Sequence, residues 1–184
     1  LMRFTAFVSF PAMLGLAIVS QELIVISITE KWLPCVPVMQ ILCVWGAFMP
    51  ISTLYSNLMN SIGRPNVYMW NTIALGIFQL LCVWGSYPYG LNIMLIVYTA
   101  ANIFWLLIWH YFAHKHIGIS LLNTLKDIAP YLIISVAVMT FTYWVAGYVK
   151  NIYLSLLVKI ALAASLYIFL MWSLKSTVFR ESLQ

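Results

Sequence analysis

The sequence predicts an all-α integral membrane protein with six transmembrane helices. Composition is the first reason: 64% of the 184 residues are hydrophobic, 7% are charged and the mean hydropathy is +0.99, where soluble domains carry about 25% charged residues. The second is the placement of charge. The nine Lys and Arg stand singly between apolar runs, so the net charge of +5 marks the sidedness of loops and forms no basic patch of the kind nucleic acid requires. The third is length. The apolar runs extend for roughly 20 to 26 residues, enough at about 1.5 Å per residue to cross roughly 30 Å of hydrocarbon.

The first helix is expected over residues 4–28, with Arg3 before it, Pro11 inside it and Glu22 near its far end. Pro11 removes a backbone donor and predicts a kink. Thr29-Glu30-Lys31-Trp32 then suits a water boundary, where an amphipathic ring and a snorkelling ammonium are both stable. A second helix follows over residues 35–60, with Pro37 near its start and Pro50 at its middle, ending before Gly63-Arg64-Pro65-Asn66. Two adjacent kinked helices suggest a moving wall, or simply prolines tolerated for packing. The third helix covers residues 66–86 and the fourth 91–112, joined by the turn Tyr87-Pro88-Tyr89-Gly90. Beyond them Ile117, Leu121, Leu125 and Ile128 recur at helical spacing opposite Asn123, Lys126 and Asp127, which predicts a separate interfacial amphipathic helix. A fifth span is expected over residues 130–149, with Pro130 in its first turn, and a sixth over 152–174.

Six crossings place both ends on one side. Arg3, Arg64, Lys115, Lys126, Lys175 and Arg180 then oppose Lys31 and Lys150, which assigns both ends to the cytoplasm by the positive-inside rule. The chain begins with Leu1, and its first apolar run is too long for a signal-peptide core; a fragment of a longer protein is the expectation. Cys35 and Cys43 lie about 12 Å apart along a helix, too far to bridge. Neither a disulfide nor a metal site is expected, and no cofactor.

Several constellations carry chemistry. Thr53, Ser56, Asn57 and Asn60 share one face of the second helix, and Arg64 projects to the same side if the helix continues. Amides and hydroxyls are costly in lipid, so this stripe faces either a substrate path or a hydrogen-bonding neighbour helix. On the fourth helix Tyr98, Asn102, Trp105 and Trp109 recur at spacings of four, three and four, as a sugar-stacking face or as a lipid-facing aromatic belt. Glu22 and Lys159 are the ionisable groups well inside the predicted spans, each a functional candidate because an intramembrane charge costs about 2.5 to 3.5 kcal/mol on insertion scales. Glu22 is a candidate for cation coupling, Lys159 for meeting a lipid phosphate or for snorkelling outward. His110, His114 and His116 are read as anchors at a membrane surface, without a second helix that would complete a haem site.

Phe10-Pro11-Ala12-Met13-Leu14-Gly15-Leu16-Ala17, Glu22-Leu23-Ile24, Glu30-Lys31-Trp32 and Val36-Pro37-Val38-Met39-Gln40-Ile41-Leu42-Cys43 follow one another in an order and spacing that resemble the bacterial polysaccharide flippases. These are the O-antigen and lipopolysaccharide exporters of the multidrug/oligosaccharidyl-lipid/polysaccharide exporter superfamily. Asn57-Leu58-Met59-Asn60-Ser61-Ile62-Gly63-Arg64 resembles the family's turn ending in Gly-Arg, and Ile117-Gly118-Ile119-Ser120 through Asp127-Ile128-Ala129-Pro130 continues the likeness. Thr29 stands where relatives usually have Gly, and Pro65-Asn66 where they usually have Ser-Asp.

The resemblance implies a two-lobed helical transporter of about fourteen helices, of which this chain would be the C-terminal part. Residues 1–128 would close the second lobe, and residues 129–184 would form an additional pair of helices with a short cytoplasmic tail. It also implies alternating-access export of an undecaprenyl-diphosphate-linked oligosaccharide, with the lipid-linked glycan, the bilayer and polysaccharide assembly proteins as partners. A multidrug or small-molecule exporter of the same fold, coupled to Na⁺ or H⁺ through Glu22, is the alternative. A membrane glycan polymerase is a weaker reading, because the outer loops are about four to six residues with Glu30 as their acid, too little for acid–base chemistry. A purely structural membrane anchor would not need polar stripes inside the bilayer.

Overall fold

The computed structural model describes residues 2–118, 120–147 and 151–173. Among these residues six helices are long and apolar enough to cross a membrane, as the hydropathy pattern predicts. They are α1 (Met2–Ser27), α2 (Val36–Ser61), α3 (Pro65–Ser86), α4 (Leu91–Ile117), α5 (Leu121–Ala146) and α6 (Ile152–Ser173). The chain is a multi-pass membrane protein. Helices satisfy every backbone donor within the segment, which is what a bilayer demands. Lys150, Lys175 and Arg180, used above for sidedness, lie outside the described residues, as do Ile119, Tyr148 and the expected ends of the last two spans.

The connections are short. A 3₁₀ turn, Glu30–Cys35, joins α1 to α2, and another, Tyr87–Tyr89, joins α3 to α4. Between α2 and α3 the chain reverses at Gly63, whose φ of 71° is open to glycine at little cost. The Arg64 amide closes that turn on the Met59 carbonyl at 3.1 Å, and Pro65 opens α3 where its missing donor costs nothing.

One expectation is corrected here. Residues 117–128 do not form a separate interfacial helix: Ile117 ends α4, and residues 121–128 are the first turns of α5, which runs unbroken through Pro130. Pro130 removes the bond to the Lys126 carbonyl, but Lys126 is exposed at this end of the bundle, where solvent can take the vacated place. The segment is also held to α1, since the Arg3 guanidinium meets Asp127 at 2.7 Å.

α1 is the hub. It packs on α2 on one side and on both α5 and α6 on the other, while α4 lies beyond α2 and α3 is outermost, against α4 and α2. The core lies mostly toward the end where α1 begins: Phe10, Ile51, Met59, Trp109 and Met171 are at most 2% exposed. Without a hydrophobic force between helices in lipid, close approach decides packing. Ala6, Ala47 and Ala113 are completely buried and allow it; Ser9 donates to the Ala47 carbonyl at 2.6 Å. At Gly46 a Cβ would lie 3.1 Å from the Met13 sulfur.

Candidate functional site

Glu22 and Lys159 meet. The last turns of α1 carry Glu22 inward, and α6 brings Lys159 to it from 137 residues away, with Nζ 2.5 Å from Glu22 Oε1. The same ammonium donates to the Ile18 carbonyl at 2.9 Å, and the Ser155 hydroxyl, one turn earlier on α6, donates to Glu22 Oε1 at 2.9 Å. From α5 the Tyr143 ring stands with its centroid 5.4 Å from the ammonium. Three helices therefore converge on one charge pair, whose side chains are 6% and 10% exposed. Lys159 turns inward rather than snorkelling to water, and caps an otherwise apolar cleft of about 590 Å³ between α1, α5 and α6.

A carboxylate oxygen, a backbone carbonyl and an aromatic face are groups that a monovalent cation would take. Here a tethered ammonium fills the place. Glu22 Oε2 stays buried without a hydrogen-bond partner among the described residues, so the pair is incompletely satisfied and its net contribution to stability is small. Each residue was legible as an intramembrane charge; their pairing was not, because nothing in the sequence links two positions so far apart.

The α2 stripe lies elsewhere. Thr53, Asn57 and Asn60 are exposed and Ser56 is half-buried; Arg64 is exposed too but does not continue the stripe, because α2 ends at Ser61 and Arg64 stands beyond the Gly63 reversal, at the start of α3. The Thr53 and Ser56 hydroxyls bond only back to their own helix, at the Met49 and Ser52 carbonyls, both 3.1 Å. No hydrogen bond from this stripe reaches another helix among the described residues, so the neighbour-helix account is not met among them. Toward the opposite membrane face the stripe turns apolar at exposed Met49 and Leu42.

On α4 the aromatic stripe faces into the protein. Asn102 is 2% exposed, accepts from the Gln79 amide at 2.8 Å and donates to the Tyr98 carbonyl at 2.8 Å. The buried Trp105 donates from Nε1 to Asn71 Oδ1 at 2.9 Å, and buried Trp109 packs near Tyr68. These groups join α4 to α3, and the two tryptophans do not form an outward-facing belt. His110 also departs from the anchor reading: it is buried and joined through Nδ1 to the Tyr55 hydroxyl at 3.0 Å. The signal missed was that Tyr55 and His110 each fall on the apolar, inward face of their helices. His114 remains exposed, and His116 bonds the Phe112 carbonyl. No group of three metal-ligating side chains occurs among the described residues.

The polysaccharide biosynthesis protein family matches residues 1–37, which include α1 and Glu22. Two relatives align over 79 residues at 29% identity: the lipopolysaccharide biosynthesis protein WzxC of Escherichia coli K12, and an uncharacterized membrane protein in the cps region of Klebsiella pneumoniae. The aligned stretch is 42% of this chain and 16% of either relative. No solved structure matches the chain. The first helix and the turn after it thus carry the pattern of the polysaccharide biosynthesis protein family, the one its sequence motifs resemble.

Proposed function

We propose that this chain is part of an exporter that carries a lipid-linked oligosaccharide across the bacterial inner membrane by alternating access, with both described ends on the cytoplasmic side. The observation that carries this reading is the open polar face of α2. Thr53, Asn57 and Asn60 are exposed toward one end of α2, with Arg64 exposed in the turn beyond it, and amides facing hydrocarbon would be costly. A water-filled path beside α2 removes that cost, and Arg64 at its mouth suits an anionic diphosphate. The family match and the name of the relative from Escherichia coli support the same substrate class. Such a carrier moves its substrate without covalent chemistry, so it is not an enzyme. The cation-coupled alternative is weakened by Lys159, which already matches the acid that reading requires.

The test is deletion of the full-length gene, with assay of surface polysaccharide and of lipid-linked glycan on the inner leaflet. Loss of the first with accumulation of the second is expected. If both stay normal while sensitivity to a dye or antibiotic rises, the glycan reading fails.

A further inference from the structure

Between α3 and α4, at the end of the bundle marked by Arg64, lies an open cleft of about 520 Å³ whose lining includes Asn66, Trp70, Asn71, Trp105, Ile108 and Phe112. Its walls are carbon almost throughout. Asn71 is 5% exposed, and its orientation follows from its partner: indole Nε1 can only donate, so the Asn71 atom 2.9 Å from Trp105 must be the oxygen. That leaves the amide nitrogen, which has no hydrogen-bond partner among the described residues. Asn102, by contrast, turns its nitrogen back to its own helix at Tyr98. A buried donor without an acceptor is destabilising, more so where water is scarce.

We infer that this cleft binds a bilayer phospholipid, with an ester carbonyl accepting from the Asn71 amide nitrogen and the acyl chain lying along Trp70, Ile108 and Phe112. Depth agrees: Asn71 is seven residues below Arg64, about 10 Å along the helix, near the boundary of headgroup and hydrocarbon. The flank agrees as well, since Ile73, Ile77, Leu80, Leu81 and Trp84 make the exposed face of α3 apolar. A sugar ring would need several polar partners, and the cleft offers two amides, Asn66 exposed at its outer edge and the buried Asn71 nitrogen deeper in its wall. A polyprenyl phosphate has no ester carbonyl, and no cation lines the cleft to hold its phosphate.

The test uses the purified full-length protein, stripped of lipid and offered an equal mixture of a diacyl phosphatidylethanolamine and its diether analogue of the same chains. Bound lipid is counted by native mass spectrometry. The diacyl form should be retained in about twofold to tenfold excess, the factor that one net hydrogen bond supplies. The paired substitution Asn71→Leu with Trp105→Phe removes donor and acceptor together and should abolish that excess. Equal retention of ester and ether by the unaltered protein would overturn the inference, as would an excess that survives the paired substitution. Displacement of the diacyl lipid by polyprenyl phosphate at equal concentration would overturn it too.

Discussion

Replacing Lys159 by Met keeps most of the aliphatic stem and removes the charge. It deletes two hydrogen bonds, to Glu22 at 2.5 Å and to Ile18 at 2.9 Å, and leaves a carboxylate with Ser155 as its remaining partner. The Glu22 side chain is 10% exposed, so little water can take the place of the ammonium. Removing one member of a buried pair costs about 3 to 5 kcal/mol, a factor of roughly 10² to 10⁴ in the folding equilibrium. Removing both, as Glu22→Gln with Lys159→Met, leaves no uncompensated charge and should cost at most about 1 kcal/mol. The assay is the fraction of solubilised full-length protein that stays monodisperse after heating, compared among the unaltered protein, each single variant and the double. A Lys159→Met protein as stable as the unaltered one would refute the reasoning, and so would a double variant no better than Lys159→Met. Glycan export by the double variant then separates roles. A stable but inactive double would return Glu22 to the position of coupling acid.

Other outcomes follow from the same geometry. Arg64→Ala should lower surface polysaccharide while leaving the amount of protein in the membrane unchanged; normal surface glycan would remove Arg64 from the substrate path. Tyr55→Phe leaves buried His110 Nδ1 without its partner at 3.0 Å and should cost about 1 to 3 kcal/mol, read as a lower thermal midpoint. Asp127→Asn breaks the bridge to Arg3, whose side chain is 52% exposed. That change should cost less than about 1 kcal/mol, read as a smaller fall in the thermal midpoint than Tyr55→Phe produces.

The six spans were legible because length and hydropathy are local properties that a bilayer reads almost directly. The α5 boundary was not. Pro130 reads as a first-turn residue when only propensity is weighed, and the helix that precedes it is held by contacts with α1 that no local pattern contains. The α2 stripe is a polar face by helical periodicity alone, which puts Thr53, Ser56, Asn57 and Asn60 on one side. What periodicity leaves open is which way a face points: the Asn102 and Trp105 face looked just as available and turns inward to Gln79 and Asn71. Asn71 itself carried no signal, because a single amide in an apolar run becomes informative only once its oxygen is seen to be engaged.

The union of Glu22 and Lys159 also has a consequence in time. Translation proceeds at about 5 to 20 residues per second, so the 137 residues between them separate the two charges by roughly 7 to 27 s of synthesis. Throughout that interval α1 holds an acid whose counter-ion has not yet been made. Its safe lodging is near the water-facing rim or inside the insertion machinery, until α6 arrives. Folding of this segment thus waits on α6, which neutralises α1: a nascent chain that stalls before Lys159 leaves Glu22 without the counter-ion it has in the folded protein.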